Sequence, residues 1–429
     1  MFTLTEFFLF FFYRRILIPF AWFFLGILSR LQPRKKWSHF YLDRKNPTFQ
    51  IKNKNLGIDN NNLRPIWVHA ASGEIEYARP LLRELKSKYP HIPILVTCTS
   101  RSAKDILDSL PEIDYWGPSP WDSISSTQEF LKRWNPRALL IARTDLWPEL
   151  LYQCQKKSIP QILFSATFNF SAQSSFLQNL KIRNLKKVTK IFAVSTQDSA
   201  NLKIRDVKNV LTGGDTRFDQ VFYRLDHPKK IKTELKPFPT DFVFIAGSTW
   251  PEDESQLVSS LTDPQIRTII APHEVDEAHL KSLELRLKNQ NRSTQRYSQA
   301  KEWRSDAVLI IDQVGILAEI YTWGSMAFVG GSFKKQVHSV MEPLAAGLFT
   351  LVGPFHSNNR EAIEFQSQYI AGHSLVTQVG NTTAIHDQLK KIKQIYDSTT
   401  KMMIRLEAKK KIGATENLLK YIASAIDLS

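Results

Sequence analysis

Residues 68–82, VHAASGEIEYARPLL, decide how the rest of this chain reads. An apolar stub, Ile66, Trp67 and Val68, runs into the small residues Ala70, Ala71, Ser72 and Gly73. The carboxylate Glu74 follows at once, and Ile75, Ala78, Leu81 and Leu82 then recur at helical spacing. Pro80 interrupts that run, so the helix is expected to be kinked or to begin late. The pattern is strand, tight loop, helix, with one acidic residue where loop meets helix. Two readings of Glu74 stand at this point. A glutamate in a first helical turn complements the helix dipole. In the same place it can act as a general base beside backbone N–H groups that receive anions.

The alternation continues on both sides. Strand-like runs fall at 66–68, 94–97, 138–142, 161–165 and 190–194, with helical patterns at 79–88 and 125–134. A second series has strands at 242–246, 268–271, 308–311, 326–329 and 350–352, with helical stretches at 274–288 and 340–346. Such alternation predicts parallel sheets with helices on both faces. The expected fold class is α/β, with two doubly wound Rossmann-like domains facing a cleft and ligands at the carboxyl ends of the strands. A length of 429 residues also favours two domains. The break is expected at 226–241, DHPKKIKTELKPFPTD, which carries Pro228, Pro237 and Pro239 and little apolar periodicity. The expected division is 1–36 as an anchor with a basic flank, 50–225, the 226–241 linker, 242–400, and one C-terminal helix over 401–429. Residues 289–305 read as an exposed loop with room for an edge strand.

Hydrophobic content of 43% and charged content of 23% fit a globular chain. Cys98 and Cys154 lie outside any CxxC spacing, so buried structural roles are expected, with no disulfide framework and no structural metal. Lysine and arginine total 57 against 41 acidic residues, a net charge of +16. That field suits nucleic acid, anionic lipid or phosphorylated substrates. A nucleic-acid binder would interleave clustered cations with exposed aromatics. Here the aromatics concentrate at the N-terminus and the cations are dispersed, so no nucleic-acid partner is expected.

That N-terminus reads FFLFFFY over 7–13 and ILIPFAWFFLGIL over 16–28, split by Arg14 and Arg15. Neither half reaches the ~18–20 residues of an uninterrupted span, and no small-residue cleavage site follows. Arg30, Arg34, Lys35 and Lys36 come next, suited to anionic headgroups on the cytoplasmic side. A monotopic anchor lying in the bilayer surface is expected. The alternative is a span in which Arg14 and Arg15 carry a heavy insertion cost.

Four glycine-containing loops follow expected strands: Ala246 to Thr249, Gly330–Gly331–Ser332, Gly213–Gly214–Asp215 and Gly353–Pro354. Glycine lets backbone N–H groups approach a phosphate. None matches a Walker A or GxGxxG fingerprint, and each also reads as a tight turn. In 338–343, HSVMEP, Ser339 and Glu342 have capping-box spacing. The functional reading puts Glu342 on ribose hydroxyls and the helix start near a phosphate.

Taken in order, these residues resemble the Kdo transferases of lipopolysaccharide synthesis. These are two-domain GT-B glycosyltransferases that move 3-deoxy-D-manno-octulosonic acid (Kdo) from CMP-Kdo to the lipid A precursor. WVHAASGE is similar to the family's W-x-H-A-x-S-x-G-E, and TDLWPELL to T-E-L-W-P-N-L-L. GGDTRFD resembles G-N-x-K-F-D, and AGSTWPEDE resembles A-G-S-T-x-x-x-E-E. DQVGILAEIY, FVGGSF and EPLAAGLFTLVGP have counterparts in the same order, so the resemblance covers almost the whole chain.

The resemblance implies an inverting transferase at the cytoplasmic face of the cell inner membrane, needing no cofactor or metal. It implies Glu74 as the catalytic base, with Asp145 in the catalytic set. Donor contacts carried over are Ser248, Pro272, His273, Val314, Gly315, Ile316, Gly330, Gly331, Ser339, Val340, Met341 and Glu342. The backbone at 330–331 and the helix start at Ser339 are expected to stabilise departing CMP. Acceptor contacts are Ser72, Gly73, Arg79 and Arg143, the arginines because guanidinium suits phosphate oxygens. For Arg79 a solvated helix face is the alternative; Asp145 reads as orienting the acceptor or an arginine, or as a structural ion pair. The chain departs from the family pattern in five places. One residue is missing before Gly73, Arg143 and Asp145 replace two glutamates, His273-Glu274 replaces Arg-His, Ile316 replaces a glutamate, and Ser339 replaces an asparagine. The alternative function is a GT-B transferase or epimerase using another nucleotide sugar.

Overall fold

Strands β1 (Gln50–Ile51), β2 (Ile66–Ala70), β3 (Ile94–Cys98), β4 (Tyr115–Pro118), β5 (Ala138–Ala142), β6 (Gln161–Ala166), β7 (Lys190–Ala193) and β8 (Val210–Thr212) form one sheet. This is a computed structural model, and it describes residues 4–53, 63–168 and 176–428. The sheet order is β1-β4-β3-β2-β5-β6-β7-β8, with β1 antiparallel to β4 and the other pairs parallel. Every residue of β2, β3 and β5 is buried. Ile66 and Val68 pack on one face with Leu81 and Leu82 of helix Ile75–Lys88. Trp67, Leu95 and Leu139 pack on the other with Phe130 and Trp134 of helix Ile124–Trp134. Burial on both faces is why these strands read as unbroken apolar runs. The strand order reverses between β2 and β5, so their carboxyl ends flank a topological switch point.

Helix Ile75–Lys88 corrects the expectation for Pro80, since it starts ahead of the proline and continues through it. Pro80 is buried in the second turn, where it withholds a single N–H from the ladder.

The second sheet holds β9 (Phe242–Thr249), β10 (Ile266–Pro272), β11 (Ser293–Arg296), β12 (Ala307–Ile310), β13 (Met326–Val329) and β14 (Phe349–Val352). After the short hairpin β15 (Tyr369–Ile370) and β16 (His373–Ser374), β17 (Val376–Gln378) joins its edge. The order is β11-β12-β10-β9-β13-β14-β17, all parallel, with a second switch point between β9 and β13. β11 is an edge strand, but residues 289–305 are not simply exposed. Tyr297, Ala300 and Trp303 lie in the core, and the Trp303 indole N–H donates to the Ala307 carbonyl at 2.9 Å.

The chain divides into two compact units, residues 1–220 with 412–429, and residues 221–411. The division falls inside helix Thr216–Asp226, ahead of the proline-rich stretch. That stretch packs on the second unit, with Leu235 in its core and Lys232 Nζ held by the carbonyls of Tyr297, Ser298 and Ala300. The single C-terminal helix expected over 401–429 is instead the end of helix Ser398–Lys409 followed by helix Ala414–Ala425. Gly413, at φ 104°, separates them in a conformation that other residues resist. The last helix returns to the first unit, where Leu418, Leu419 and Ile422 join the core. The Asp219 carboxylate caps it, accepting the N–H groups of Gly413 (2.6 Å) and Thr415 (2.7 Å).

The N-terminal segment also differs from expectation. Helix Leu4–Phe12, a π-helical turn Tyr13–Leu17 and helix Ile18–Leu31 run together without a break. Residues 7–31 thus form one apolar stretch of 25, long enough by length and composition to cross a membrane. The first three residues of the expected anchor lie outside the described residues. Arg14 does not break the helix, because its Nη2 donates to the buried Glu149 carboxylate at 2.8 Å. Tyr13 OH donates to Asp122 at 2.7 Å, and Phe10, Tyr13 and Ile18 pack with Trp121 and Leu180. Phe8, Phe12, Phe20, Phe23 and Phe24 remain exposed.

Candidate active site

Glu74 stands at the first switch point. β2 ends at Ala70, a 3-10 turn spans Ser72–Glu74, and Glu74 takes the N-cap position of helix Ile75–Lys88. Its side chain makes no capping bond. One carboxylate oxygen, Oε2, is buried with no hydrogen-bond partner among the described residues. Burial pushes the Glu74 carboxyl above its ordinary value and the Asp145 charge adds to the push, while Arg143 and a backbone N–H oppose it. Lys181 also faces Glu74; burial lowers the lysine's hold on its proton and Glu74 partly restores it. A buried carboxylate oxygen without a donor calls for an explanation. A raised proton affinity is what a general base working near neutrality requires.

From β5 come Arg143 and Asp145. Arg143, at φ 62°, lies over the Tyr77 ring at 4.8 Å, and Arg217 lies 4.4 Å from the same ring. Asp145 is held by His69 Nε2 and Thr99 Oγ1, both at 3.0 Å, rather than by an arginine. Burial pushes Asp145 up, but the bonds from His69 and Thr99 outweigh it and keep the carboxyl below its ordinary range. Arg79 pairs with Glu76 of its own helix at 3.0 Å, the solvated-face alternative. Ser72 Oγ bonds Ser102 Oγ at 2.5 Å. Gly73 is exposed, with nothing near where a Cβ would lie.

The second switch point overturns the expectation for the 330–331 backbone. Gly330 N–H donates to the Gly247 carbonyl at 2.9 Å. Gly331 N–H and Phe333 N–H donate to the two oxygens of Asp253, at 2.7 and 2.9 Å, and Trp250 N–H joins them at 2.9 Å. The anion at this loop is an internal carboxylate, so these N–H groups do not cradle a phosphate. Gly330 is required for close approach, since a Cβ would lie 2.2 Å from the Ser248 carbonyl oxygen. Ser248 itself is at φ 53°. The Gly213 and Gly353 N–H groups are likewise spent, on the Ala193 carbonyl and Ser332 Oγ.

The other donor candidates fall into two groups. His273 follows Pro272 at the end of β10 and stacks between Trp250 (4.7 Å) and His338 (4.5 Å). Trp250 Nε1–H donates to His338 Nε2 at 3.2 Å, and Lys334 Nζ sits 3.3 Å from the Trp250 ring centre. Burial, then His273, lowers the proton affinity of His338. The second group gathers on Arg224. Its guanidinium donates to the Gly315 carbonyl at 2.8 Å and to Glu319 at 2.9 and 3.1 Å, and lies 3.5 Å from Glu342. Val314 is exposed, and Ile316 takes the N-cap of the short helix Leu317–Tyr321.

The capping box at 339–342 does not form. Val340 takes the N-cap of Met341–Ala345 without a side-chain bond, and Ser339 Oγ accepts the Met341 N–H at 3.3 Å. Five residues make too short a helix for a terminal anion site. Arg224 carried no signal in the sequence, while His338 and Asp253 lay inside the HSVMEP and AGSTWPEDE motifs without a role being read on them.

Comparison with known proteins now bears on this geometry. Residues 41–220 match a family model described as 3-deoxy-D-manno-octulosonic-acid transferase (kdotransferase). The 3-deoxy-D-manno-octulosonic acid transferase of Rickettsia felis is 28% identical over 309 residues, 69% of this chain and 65% of that protein. Its namesake from Aquifex aeolicus is 25% identical over 338 residues, 77% of this chain and 87% of the other. Over residues 41–220 the chain is similar to the Kdo transferases. The Kdo transferase model ends at residue 220, where the first unit also divides. Among solved structures, UDP-GlcNAc 2-epimerase from Neisseria meningitidis shares the fold, with a TM-score of 0.58 at 18% identity over 83% of this chain and 99% of that one. The fold is thus of the GT-B type. Within the Kdo transferase pattern, the residue missing before Gly73 is absorbed by the 3-10 turn and by Ser72 at φ 26°. The shortened loop still brings Glu74 within electrostatic reach of Asp145 and Arg143.

Proposed function

We propose that this protein is an inverting glycosyltransferase that moves Kdo from CMP-Kdo to the lipid A precursor, lipid IVA, in lipopolysaccharide synthesis. The observation that carries the reading is Glu74, a half-buried carboxylate with an unpartnered oxygen at the carboxyl end of the central strand. Glu74 takes the proton from the acceptor's sugar hydroxyl as that oxygen attacks the anomeric carbon. The bond from that carbon to the phosphate oxygen breaks, and CMP leaves with the electron pair. A single displacement inverts the centre. Arg143 and Arg217, both against Tyr77, suit the acceptor's phosphates. Glu342 lies 3.5 Å from Arg224, and a carboxylate there suits ribose hydroxyls. With the 330–331 N–H groups engaged internally, Lys334, over the Trp250 ring, supplies cationic chemistry beside this loop for the donor phosphate.

Mass spectrometry of lipid IVA incubated with CMP-Kdo and the purified protein tests the reading. The expected product is lipid IVA carrying added Kdo. Inert CMP-Kdo together with turnover of a UDP-sugar would replace it with the epimerase or other-sugar alternative.

The same proposal locates the protein at the cytoplasmic face of the inner membrane, with residues 1–36 as the contact. A helix packed along one side on Trp121 and Leu180, with phenylalanines left exposed, suits a monotopic anchor better than a span. Replacing Phe8, Phe12 and Phe24 together by serine is expected to abolish co-flotation with anionic vesicles at an unchanged melting temperature. Undiminished flotation would remove the helix from the membrane contact.

A further inference from the structure

Behind the Glu74 loop lies a chain of side chains that the transfer step does not itself employ. Trp67 and His69 on β2 and Thr97 on β3 are all within 1% of complete burial. The Trp67 indole N–H donates to Thr97 Oγ1 at 2.8 Å. Thr97 Oγ1 lies 2.9 Å from His69 Nδ1, and His69 Nε2 lies 3.0 Å from Asp145 Oδ2. An indole only donates and a carboxylate only accepts. The Thr97 hydroxyl, already accepting from the indole, turns its hydrogen to Nδ1, its remaining partner among the described residues. The hydrogen of the neutral imidazole then sits on Nε2 and points at Asp145. Every hydrogen in the chain runs the same way. Thr99 Oγ1 adds a second donor to the same carboxylate oxygen at 3.0 Å.

We propose that Trp67, Thr97 and His69 are positioning residues, forming a one-way hydrogen-bond relay that locks Asp145 as a carboxylate in one orientation and so holds a fixed negative charge beside Glu74. Glu74 is faced by Asp145 and Arg143 from the loop after β5, by His69 from β2 and by Lys181 from helix Phe176–Leu185. Arg101 of the neighbouring turn is engaged by Asp43. After burial, Asp145 is the group that strengthens Glu74's hold on a proton. A base with higher proton affinity removes a sugar hydroxyl proton more readily. Without the Thr97 hydroxyl, Nδ1 loses its donor and the ring is held only at Nε2, so the imidazole no longer fixes the direction from which Asp145 is met.

The proposal rests on Glu74 as the base, so one arm of its test is independent of turnover. Nitrogen-15 NMR of histidine-labelled protein, with His69 assigned among ten histidines by the His69→Gln spectrum, reads the tautomer. The neutral ring is expected to carry its hydrogen on Nε2 in the wild type and in Thr97→Ser, and in Thr97→Val its Nδ1 resonance is expected to move to that of an acceptor without a donor. An Nδ1–H or doubly protonated ring in the wild type would overturn the relay whatever Glu74 does. In the second arm, activity rises with pH as Glu74 ionises. Removing the charge at 145 eases that ionisation, so Asp145→Asn is expected to move the acidic limb of kcat to lower pH. Thr97→Val is expected to move it the same way by less, and Thr97→Ser to leave it in place. A fall in kcat with an unmoved limb would mean a merely structural role and overturn the proposal. Wild-type turnover in Glu74→Gln would instead remove the base, leaving the tautomer arm to judge the relay.

Discussion

Replacing Glu74 with glutamine is expected to lower kcat for Kdo transfer by ~10²–10⁴-fold, the usual contribution of a positioned general base. The amide matches the carboxylate in shape, so the 3-10 turn and the helix behind it are expected to persist. CMP affinity is expected to be unchanged, because the donor candidates belong to the second unit. The substitution also has a signature in stability. Burial and Asp145 raise the proton affinity of Glu74 in the folded state. Its contribution to stability is therefore full below the unfolded carboxyl pKa and is lost as pH rises through the higher folded value. Glu74→Gln, which cannot ionise, should then melt no lower than the wild type at neutral pH, and higher if the shift is large. Near wild-type turnover would end Glu74's candidacy as the base. A marked fall in melting temperature at neutral pH would mean that the carboxylate is structural.

Asp253→Ala is expected to destabilise the second unit by on the order of 4 kcal/mol, since each buried donor left without a partner costs ~1–3 kcal/mol. Three N–H groups lose their acceptor together, those of Trp250, Gly331 and Phe333. Asp253 is wholly buried, so bulk water does not reach the gap. Urea denaturation followed by tryptophan fluorescence reads the loss. Asp253→Asn keeps one acceptor oxygen and is expected to lie between alanine and wild type. The result also separates the two readings of the glycine loop. Were 330–331 an anion cradle, freeing these N–H groups would tighten CMP binding at little cost in stability, and that outcome would restore the cradle.

Much of the fold was legible in the sequence. The runs at 138–142 and 326–329 coincide with β5 and β13, and the other eight expected runs fall within a few residues of their strands. Parallel strands covered on both faces need apolar residues at every position, so their limits coincide with the limits of hydrophobicity. The Glu74 loop was legible for the same reason, being the polar break between a buried strand and an amphipathic helix. What failed to show was who pairs with whom. Asp219 looked like part of a loop motif, yet it caps a helix nearly two hundred residues later in the chain. Arg14 looked like an interruption of an apolar segment, yet it is spent on Glu149.

Residues 68–82 by themselves determined the strand, the turn and the presence of a carboxylate at the switch point, because covalent order and hydrophobic period are local properties. Only the tertiary structure decided what that carboxylate feels. The charge of Asp145 arrives from another strand, and its orientation depends on a buried tryptophan, threonine and histidine contributed by two neighbouring strands. It also decided that Gly331 serves Asp253, 78 residues away, and not a ligand. A backbone N–H reads the same in sequence whichever anion it meets, and only packing brings that anion within hydrogen-bond distance.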